Sequence, residues 1–553
     1  MGVAIVDRRR FLVGSAWAGL AAGLGALATG CGPVETPHST LTPAPTATDA
    51  PPSFSTLAPS TPTPAPSRPP GPRSTRIADE NALRGTRAWD LRSGLPLGPT
   101  GFLSHASAAP GERVAVHVAG STRVDVSWYR LGWYDGDGGR LVRADRGVPA
   151  TASSPPTRDA RTGLAEAGWP AALEIEIPPD WPSGMYLAVF TAASGGIGCA
   201  PLVVRPSPGP PAPVLFVSAS TTWQAYNNWG GADFYADSPA DPAGIARGRR
   251  AVQVGFDRPL TLASGAGYLP RWELQFVRWQ EREGRDVEYA ADVDLELHPE
   301  VLAGRRLVVF AGHHEYWSRP MRTALEGAIA SGVNVAFLSA NEVYWQVRFE
   351  PSPLGPARRV TCYKVADLDP LASTRPELTT VRWREAPVND PEATLVGQMY
   401  GHIVRRPADW IVQQHRHWLY EGTGLRTGDR IVNLVGQEYD TFFPQFAQPG
   451  TAILAQGPVD TVIRRPRVGA PSSGPGIHTS TMYTAVSGAT VFAAGTFQWS
   501  WAIDKFGSRA YLGHATPYDE RVVRMTRNLF DRLGDGPAPP VPGRPVRVPR
   551  GHA

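Results

Sequence analysis

The sequence predicts an α+β protein of several domains, in which a β-sandwich precedes an α/β domain with a mostly parallel sheet. From about residue 77 to 205, apolar and polar residues alternate with period two, which is typical of half-buried strands. After a proline-rich joint at 206–213, the apolar runs become continuous and alternate with segments of helical spacing, which indicates strands buried on both faces. A chain of 553 residues also exceeds what one hydrophobic core usually organises.

Short alternating strands separated by turn signals define the predicted sandwich. Valines alternate with polar or small residues at 114–118 and 124–126, and Leu and Ile do so at 173–177. Turns rich in Gly, Pro and Asp, such as 135–139 and 180–184, separate these runs. Residues 77–205 are therefore assigned to the sandwich and 213–535 to the α/β domain.

In the α/β domain, residues 308–339 predict a strand–helix–strand unit with parallel strands. Ser318 is a natural N-cap, Pro320 lies in the first helical turn, and Gly332 ends the helix. Residues 334–339 then form the next strand. The other predicted elements are a strand at 214–218, a helix at 272–284, a late strand at 491–495 and a closing helix at 522–533.

The first 31 residues have the pattern of an export signal of the twin-arginine lipoprotein type. Arg8-Arg9-Arg10-Phe11-Leu12 fits the twin-arginine pattern, and Leu27-Ala28-Thr29-Gly30-Cys31 resembles a lipoprotein cleavage box. The Ala/Gly-rich stretch between them is shorter than the ~20 apolar residues of a membrane span. We therefore expect export in the folded state and lipidation of Cys31, which would anchor the protein to the outer face of a bacterial cell membrane.

Composition predicts two disordered segments and argues against a nucleic-acid partner. Residues 32–76 are rich in Pro, Thr and Ser and cannot bury enough apolar surface to fold, so they are expected to form a tether; the Pro/Arg-rich residues 536–553 form a similar tail. The net charge is only +4, and much of it lies in these segments, so no basic nucleic-acid-binding face is expected. Cys199 and Cys362 could form a disulfide or remain two buried free thiols.

Polar residues follow three strands of the predicted parallel sheet. Tyr226 follows the strand 214–218, Glu315 follows the strand that begins at Val308, and Asn341 follows the strand 334–339. Because the carboxyl ends of parallel strands lie on one edge of a sheet, these side chains could converge. Phenolate and carboxylate oxygens suit a hard metal ion, although a tyrosine after a strand is also a common packing residue.

At these residues the chain resembles the large-subunit family of N,N-dimethylformamidase, from about residue 80 to 533. The motifs that carry the resemblance are Tyr129-Arg130-Leu131-Gly132-Trp133-Tyr134, Pro182-Ser183-Gly184-Met185-Tyr186, 225–231, 312–318, 340–348, His417-Trp418, Gly422-Thr423-Gly424-Leu425, Gly436-Gln437-Glu438 and Gly495-Thr496-Phe497-Gln498-Trp499. The resemblance implies an immunoglobulin-like sandwich, an α/β domain like that of the glutamine amidotransferases, and an amidohydrolase with one iron held by two tyrosines and one glutamate.

Carried over by motif, Tyr226 and Glu315 would be metal ligands. The catalytic pocket residues, which would position or protonate the substrate, would be His313, Asn341, Lys364 and Glu438. The family's second tyrosine would follow Asp257-Arg258-Pro259, where this chain has Leu260. Leucine cannot ligate a metal, so either Tyr268 substitutes, water fills the position, or iron is not bound. The family's small partner subunit is not part of this chain.

The sequence thus favours an exported, lipid-anchored hydrolase that cleaves C–N amide bonds of a small-molecule substrate. A cysteine nucleophile is disfavoured because Cys362 follows no apolar strand, and a serine nucleophile because no G-x-S-x-G motif occurs. The alternative is a surface ligand-binding protein that has kept the scaffold and lost the metal, and the aromatic residues beside the motifs suit either. A homo-oligomer is compatible with both hypotheses.

Overall fold

A computed structural model describes the sandwich, the α/β domain and the joint between them, with short gaps. The described residues are 75–91, 98–120, 122–153, 156–231, 233–235, 250–461, 476–507, 509–511 and 513–535. The predictions for residues 1–74, including lipidation of Cys31, and for the tail 536–553 lie outside these ranges. No helix within the described ranges is both long enough and apolar enough to cross a membrane.

The amino-terminal half of the described chain consists of strands, preceded by helix α1 (Thr75–Ala82), so residues 77–82 are helical rather than extended. The strands are β1 (Thr100–Leu103), β2 (Ser107–Ala108), β3 (Arg113–Ala119), β4 (Arg123–Leu131), β5 (Gly139–Pro149), β6 (Thr157–Arg158), β7 (Ala165–Glu166), β8 (Leu173–Glu176), β9 (Gly184–Ala192) and β10 (Ile197–Val204).

Two sheets of this half face each other across one apolar core. The first has the strand order β1-β3-β8, the second β2-β10-β9-β4-β5, and nearly all pairs are antiparallel. Val116 of the first sheet and Trp128 and Phe190 of the second are fully buried in this core. The period-two pattern arises because alternate side chains of a strand point to opposite faces of its sheet.

The carboxyl-terminal half mixes strands and helices, so the predicted α+β class is confirmed. Its strands are β11 (Val214–Ser218), β12 (Gln253–Gly255), β13 (Val287–Ala291), β14 (Leu307–Phe310), β15 (Tyr316–Ser318), β16 (Asn334–Phe337), β17 (Trp345–Ser352), β18 (Gly355–Thr361), β19 (Met399–Ile403), β20 (Ala408–Ile411), β21 (Arg430–Val435), β22 (Glu438–Thr441), β23 (Ala452–Val459), β24 (Gly476–Thr484), β25 (Thr490–Ala493), β26 (Ala510–Tyr511) and β27 (His514–Ala515). Its α-helices are α2 (Ser220–Ala225), α3 (Leu274–Arg282), α4 (Asp294–Leu297), α5 (Arg319–Ala330), α6 (Ala393–Val396), α7 (Trp499–Ile503) and α8 (Glu520–Leu533).

The central sheet of this half has the order β13-β11-β14-β16-β25-β24-β23 among the described residues. The strands from β13 to β25 are parallel. β24 runs antiparallel to β25, and the edge strand β23 runs antiparallel to β24. Each residue of β11 and β14 is buried, as expected for strands covered on both faces. The carboxyl ends of β11, β14, β16 and β25 therefore share one edge of the sheet.

The predicted strand–helix–strand unit is confirmed by β14, α5 and β16. Ser318 is the N-cap of α5 and accepts a hydrogen bond from the Met321 N–H at 3.3 Å. Met321, Leu325 and Ile329 bury one face of the helix against the sheet. The segment between β14 and α5 contains β15, which pairs with β17 and fixes the path of the chain at the sheet edge.

Cys199 and Cys362 are both free and buried, so the alternative of two free thiols is confirmed. Burial raises the pKa of the Cys362 thiol to about 11. Burial also raises the pKa of the Cys199 thiol, so neither thiol is ionised at neutral pH.

Candidate functional site

Three oxygen-bearing side chains meet beyond the carboxyl ends of β11 and β14. Tyr226 caps the end of α2, which directly follows β11, and its hydroxyl donates to Glu315 Oε2 at 2.5 Å. Tyr235 lies nine residues further along the chain, and its hydroxyl donates to Glu315 Oε1 at 3.0 Å. The two hydroxyl oxygens are themselves 3.0 Å apart. We call Tyr226, Tyr235 and Glu315 the tyrosine–glutamate cluster.

The surrounding chain holds the cluster tightly. The Tyr226 and Tyr235 rings stack with their centroids 4.5 Å apart. The Glu315 backbone N–H donates to Thr222 Oγ1 at 3.1 Å, which ties the loop after β14 to helix α2. Tyr226 and Glu315 are buried, whereas Tyr235 is half-buried.

A second group of side chains adjoins the cluster through His313. Its Nε2 atom lies 3.3 Å from Oε2 of Glu315 and 3.6 Å from Oε2 of Glu438, at the start of β22. Asn341 Nδ2 donates to the same Glu438 oxygen at 2.7 Å. His313 therefore lies between two carboxylates, one of which is oriented by an amide.

Asn341 is held in a strained conformation. Its φ of +58° is in the left-handed region, which asparagine tolerates better than most residues. Its backbone N–H donates to Asp440 Oδ1 at 2.8 Å, while its Oδ1 atom has no hydrogen-bond partner among the described residues. Glu438 and Asp440 both reach Asn341 because residues i and i+2 of a strand share a face.

Lys364 reaches the cluster through Tyr316. Its ammonium donates to the Tyr316 hydroxyl at 2.8 Å, and that hydroxyl donates to the Tyr235 oxygen. The same ammonium lies 3.6 Å from the centroid of the Tyr235 ring and 4.6 Å from that of Trp345. The pairing of Tyr316 with Trp345 across β15 and β17 brings these rings together.

Several carboxyl groups around the site are buried. Burial is the largest cause that raises the pKa of Asp440 to about 7, although the Asn341 N–H opposes the rise. Burial also raises the pKa of Glu342 well above its usual range, and the nearby Asp440 charge adds to this shift. Beside them, burial lowers the pKa of His314 to about 3, so this imidazole is neutral.

The structure thus brings all six predicted site residues into one connected group: Tyr226, His313, Glu315, Asn341, Lys364 and Glu438. Leu260 lines a small cavity of about 50 Å³ with Trp223, Gln224 and residues of β10. Tyr268 touches Tyr226 edge to face, with ring centroids 5.9 Å apart. Their roles stay predictions.

Sequence reasoning missed Tyr235, Tyr316 and Asp440. A signal for Tyr235 was its position in the same strand-end segment as Tyr226. Tyr316 lies within the motif 312–318, and Asp440 follows the motif residue Glu438 by two positions. Among the described residues no group of three or more His, Cys, Asp or Glu side chains could hold a metal ion, so any ion here would depend on the tyrosines.

The oxygens of the tyrosine–glutamate cluster have a spacing that suits one cation. Metal–oxygen bonds of about 2.0–2.2 Å separate neighbouring ligand oxygens by roughly 2.8–3.5 Å, and the cluster oxygens lie 2.5–3.0 Å apart. A cation could replace the protons that now link these oxygens after a small outward movement. The donor set, two phenols and a carboxylate, is hard and becomes anionic on losing protons, which suits ferric iron.

Comparisons with known proteins identify a family. A family model described as "N,N-dimethylformamidase beta subunit-like, C-terminal" matches residues 125–513, which is most of the chain. No curated protein matches the chain. Among solved structures, a Paenibacillus sp. cycloisomaltooligosaccharide glucanotransferase complexed with cycloisomaltoheptaose matches 22% of this chain and 16% of its own, at 15% identity and a TM-score of 0.14. The chain spans about a sixth of that structure's length, and a likeness this low carries no argument.

Proposed function

Because the chain belongs to the N,N-dimethylformamidase beta subunit-like family, we propose that it hydrolyses the C–N bond of a small non-peptide amide. The observation that carries the proposal is the contact of His313 with both Glu315 and Glu438, which joins the tyrosine–glutamate cluster to a carboxylate that can act as a base. The family match supplies the hydrolase scaffold, and this arrangement supplies residues for the chemistry.

We assign one iron ion to the tyrosine–glutamate cluster. Tyr235 takes the role of the family's second tyrosine, whose expected position holds Leu260 and for which the sequence suggested Tyr268 as a substitute. Tyr235 is preferred because its hydroxyl contacts Glu315 directly, whereas the side chain of Leu260 has no atom that could ligate a metal. When bound, the ion would supply Lewis acidity towards the amide carbonyl oxygen.

The chain's own residues account for the proton transfers. Glu438, oriented by Asn341, takes a proton from the attacking water, whose oxygen bonds to the carbonyl carbon. Asn341 Oδ1, which lacks a partner among the described residues, can accept the second hydrogen of that water. His313 lies next to Glu438 and passes the proton to the departing nitrogen as the C–N bond breaks, which yields a carboxylic acid and an amine.

We assign Lys364 a positioning role. Its ammonium is engaged with Tyr316 and the Tyr235 ring, so it acts on the ion ligands and not on the leaving group. We further propose that the sandwich is immunoglobulin-like, that the α/β half resembles the glutamine amidotransferases, and that the exported protein is held at the membrane by a lipid on Cys31.

The experiment that tests the function follows amine release from formamide, N-methylformamide, N,N-dimethylformamide and acetamide by iron-loaded protein. We expect turnover of at least one amide, and a loss of about 10²–10⁴-fold in kcat for Glu438→Gln, because a general base contributes that much. Glu377→Gln, at an exposed carboxylate in the described part of the chain, is the matched control and should retain full activity. Turnover that survives in Glu438→Gln would contradict the assigned base.

Elemental analysis of the same preparations tests the ion. Stoichiometric iron is expected in the wild-type protein and in Tyr268→Phe, and iron should be lost from Glu315→Ala and reduced in Tyr235→Phe. The opposite ranking of the two tyrosine variants would show that Tyr268 is the ligand. Tight binding of an amide without iron and without turnover would favour the ligand-binding alternative.

A further inference from the structure

We propose that Tyr316 is a positioning residue for Tyr235, and that Lys364 fixes the direction in which the Tyr316 hydroxyl donates. Tyr316 was not a candidate site residue on sequence grounds, although it directly follows Glu315. The inference rests on the ion site proposed above and concerns the side chains around it.

The direction of the hydrogen bonds follows from the donors and acceptors available. A lysine ammonium can only donate, so the oxygen of Tyr316 must accept from Lys364 Nζ, at 2.8 Å. A phenol hydroxyl has a single proton, and in Tyr316 this proton points away from the lysine. The Tyr316 hydroxyl therefore donates to the Tyr235 oxygen. The chain therefore runs from Lys364 to Tyr316 to Tyr235 and ends on Glu315.

The lysine is fixed as well as charged. Its ammonium lies over the Tyr235 ring at 3.6 Å, with the rings of Trp345 and Tyr316 at 4.6 and 5.2 Å. Ammonium groups are attracted to aromatic faces, and Lys364 is half-buried. The backbone of Lys364 has a φ of +62°, a strained value for a residue with a side chain. Such strain persists where surrounding contacts hold a side chain in one place.

These contacts make the two tyrosines of the cluster inequivalent. With iron in place of the protons, the oxygens of Tyr226 and Tyr235 would both be anionic, and Tyr316 would donate a hydrogen bond to Tyr235. A donated hydrogen bond lowers the energy of the electrons on the accepting oxygen. Tyr316 would therefore weaken electron donation from Tyr235 and hold its oxygen in the orientation that the ion needs.

Ferric titration of the purified protein, followed by its visible phenolate-to-iron absorption band, tests this inference. Tyr316→Phe should move the band to longer wavelength, because removing the hydrogen bond raises the energy of the donor electrons. Lys364→Met should cause a smaller shift to longer wavelength, because it removes only the contact that orients the Tyr316 hydroxyl. Iron affinity should fall by about 10–100-fold in Tyr316→Phe, the range typical for residues that support metal ligands.

Tyr420→Phe is the matched control, because its buried hydroxyl also donates to a neighbour, the Leu454 carbonyl at 2.6 Å, but lies outside the site. Its spectrum and affinity should equal those of the wild-type protein. Far-ultraviolet circular dichroism establishes that each variant is folded, and Lys364→Met gives the decisive shift if Tyr316→Phe does not fold.

The possible failures are distinguishable. If the wild-type protein shows the band and the variants show it at the same or a shorter wavelength, the role of Tyr316 is overturned. The ion site and the amidase proposal then still stand. A wild-type protein that binds no ferric iron overturns the ion site and the role of Tyr316 with it, while amine release still tests the amidase proposal separately.

Discussion

Glu273 and Asp292 are buried carboxyl groups that hold the first turn of α2, the helix that ends at Tyr226. Glu273 accepts hydrogen bonds from the Ser218 hydroxyl at 2.7 Å and the Trp223 indole at 3.0 Å. Asp292 accepts from the Thr221 backbone and hydroxyl groups. Burial is the largest cause that raises the pKa of Glu273 to about 8 and that of Asp292 to about 7. The position of Tyr226 thus depends on Glu273, which stays largely protonated at neutral pH, and on Asp292, which titrates near neutral pH.

The raised pKa of Glu273 predicts that the free energy of unfolding falls as the pH rises. The pKa of Glu273 is raised from an ordinary value of 4.5, so between pH 4.5 and 8 the unfolded chain has lost a proton that the folded chain keeps. The stabilisation is full below that window and is lost at about 1.4 kcal/mol per pH unit within it. Urea unfolding at pH 5 and pH 8 should show the fall, and Glu273→Gln, which mimics the protonated acid, should reduce it. An unchanged slope in this variant would contradict the assignment.

At the scale of elements, α5 has the clearest sequence signature, and it directly follows β15, the strand that begins at Tyr316. Ser318 accepts from the Met321 N–H, and the Ser318 N–H in turn approaches the Met321 sulfur at 3.4 Å. These contacts satisfy groups that a helix end otherwise leaves without partners. Because Ser318 also ends β15, its cap connects the helix to the strand that contains Tyr316.

Ser318→Ala should therefore destabilise the protein by about 1 kcal/mol, the usual cost of losing an N-cap. Ser331→Ala, at the other end of α5, is the control, because its hydroxyl is exposed and donates to a carbonyl of the last turn. Denaturant midpoints measured side by side would show the difference. Equal midpoints would mean that water replaces the serine hydroxyl at no cost.

Elements were predictable where their pattern is local. The run 308–339 gave the strand, cap, helix and second strand of the observed unit, because each signal lies within a few residues of the next. The convergence of Tyr226, Glu315 and Asn341 was also predictable, because the carboxyl ends of parallel strands lie on one edge of a sheet. Tyr316 and Asp440 were not predictable, because their positions depend on the pairing of β15 with β17 and of β22 with β19. Tyr235 belongs to no strand, and its contact with Glu315 joins residues 80 positions apart.

At the scale of the whole molecule, a fully buried ion pair joins the sandwich to the α/β half. Arg130 of β4 makes two hydrogen bonds to Glu281 of α3, at 2.6 and 2.8 Å, and both side chains are fully buried. Asn81 of α1 and Tyr289 of β13 donate to the same carboxylate. The contact joins residues 151 positions apart, which no local pattern could have shown.

Arg130→Met should destabilise the protein by about 3–5 kcal/mol, because it leaves the Glu281 charge buried without its counter-charge. The double variant Arg130→Met, Glu281→Leu should recover much of this loss. Arg113→Met, at an exposed ion pair with Glu174, is the control and should change stability by less than about 1 kcal/mol. A double variant no more stable than the single one would show that the pair itself, and not the orphaned charge, determines the cost.

The order of strands in the central sheet sets when the site can form during synthesis. β16 lies between β14 and β25, and Val335 of β16 pairs with Val491 of β25, close to the end of the described chain. While the ribosome is still translating the intervening segment, one edge of β16 has no native neighbour, and such an edge invites pairing with other chains. β25 must therefore be translated before the sheet edge that holds Glu315, Asn341 and Glu438 is fully paired, and a cofactor that needs this edge must bind after translation has passed β25.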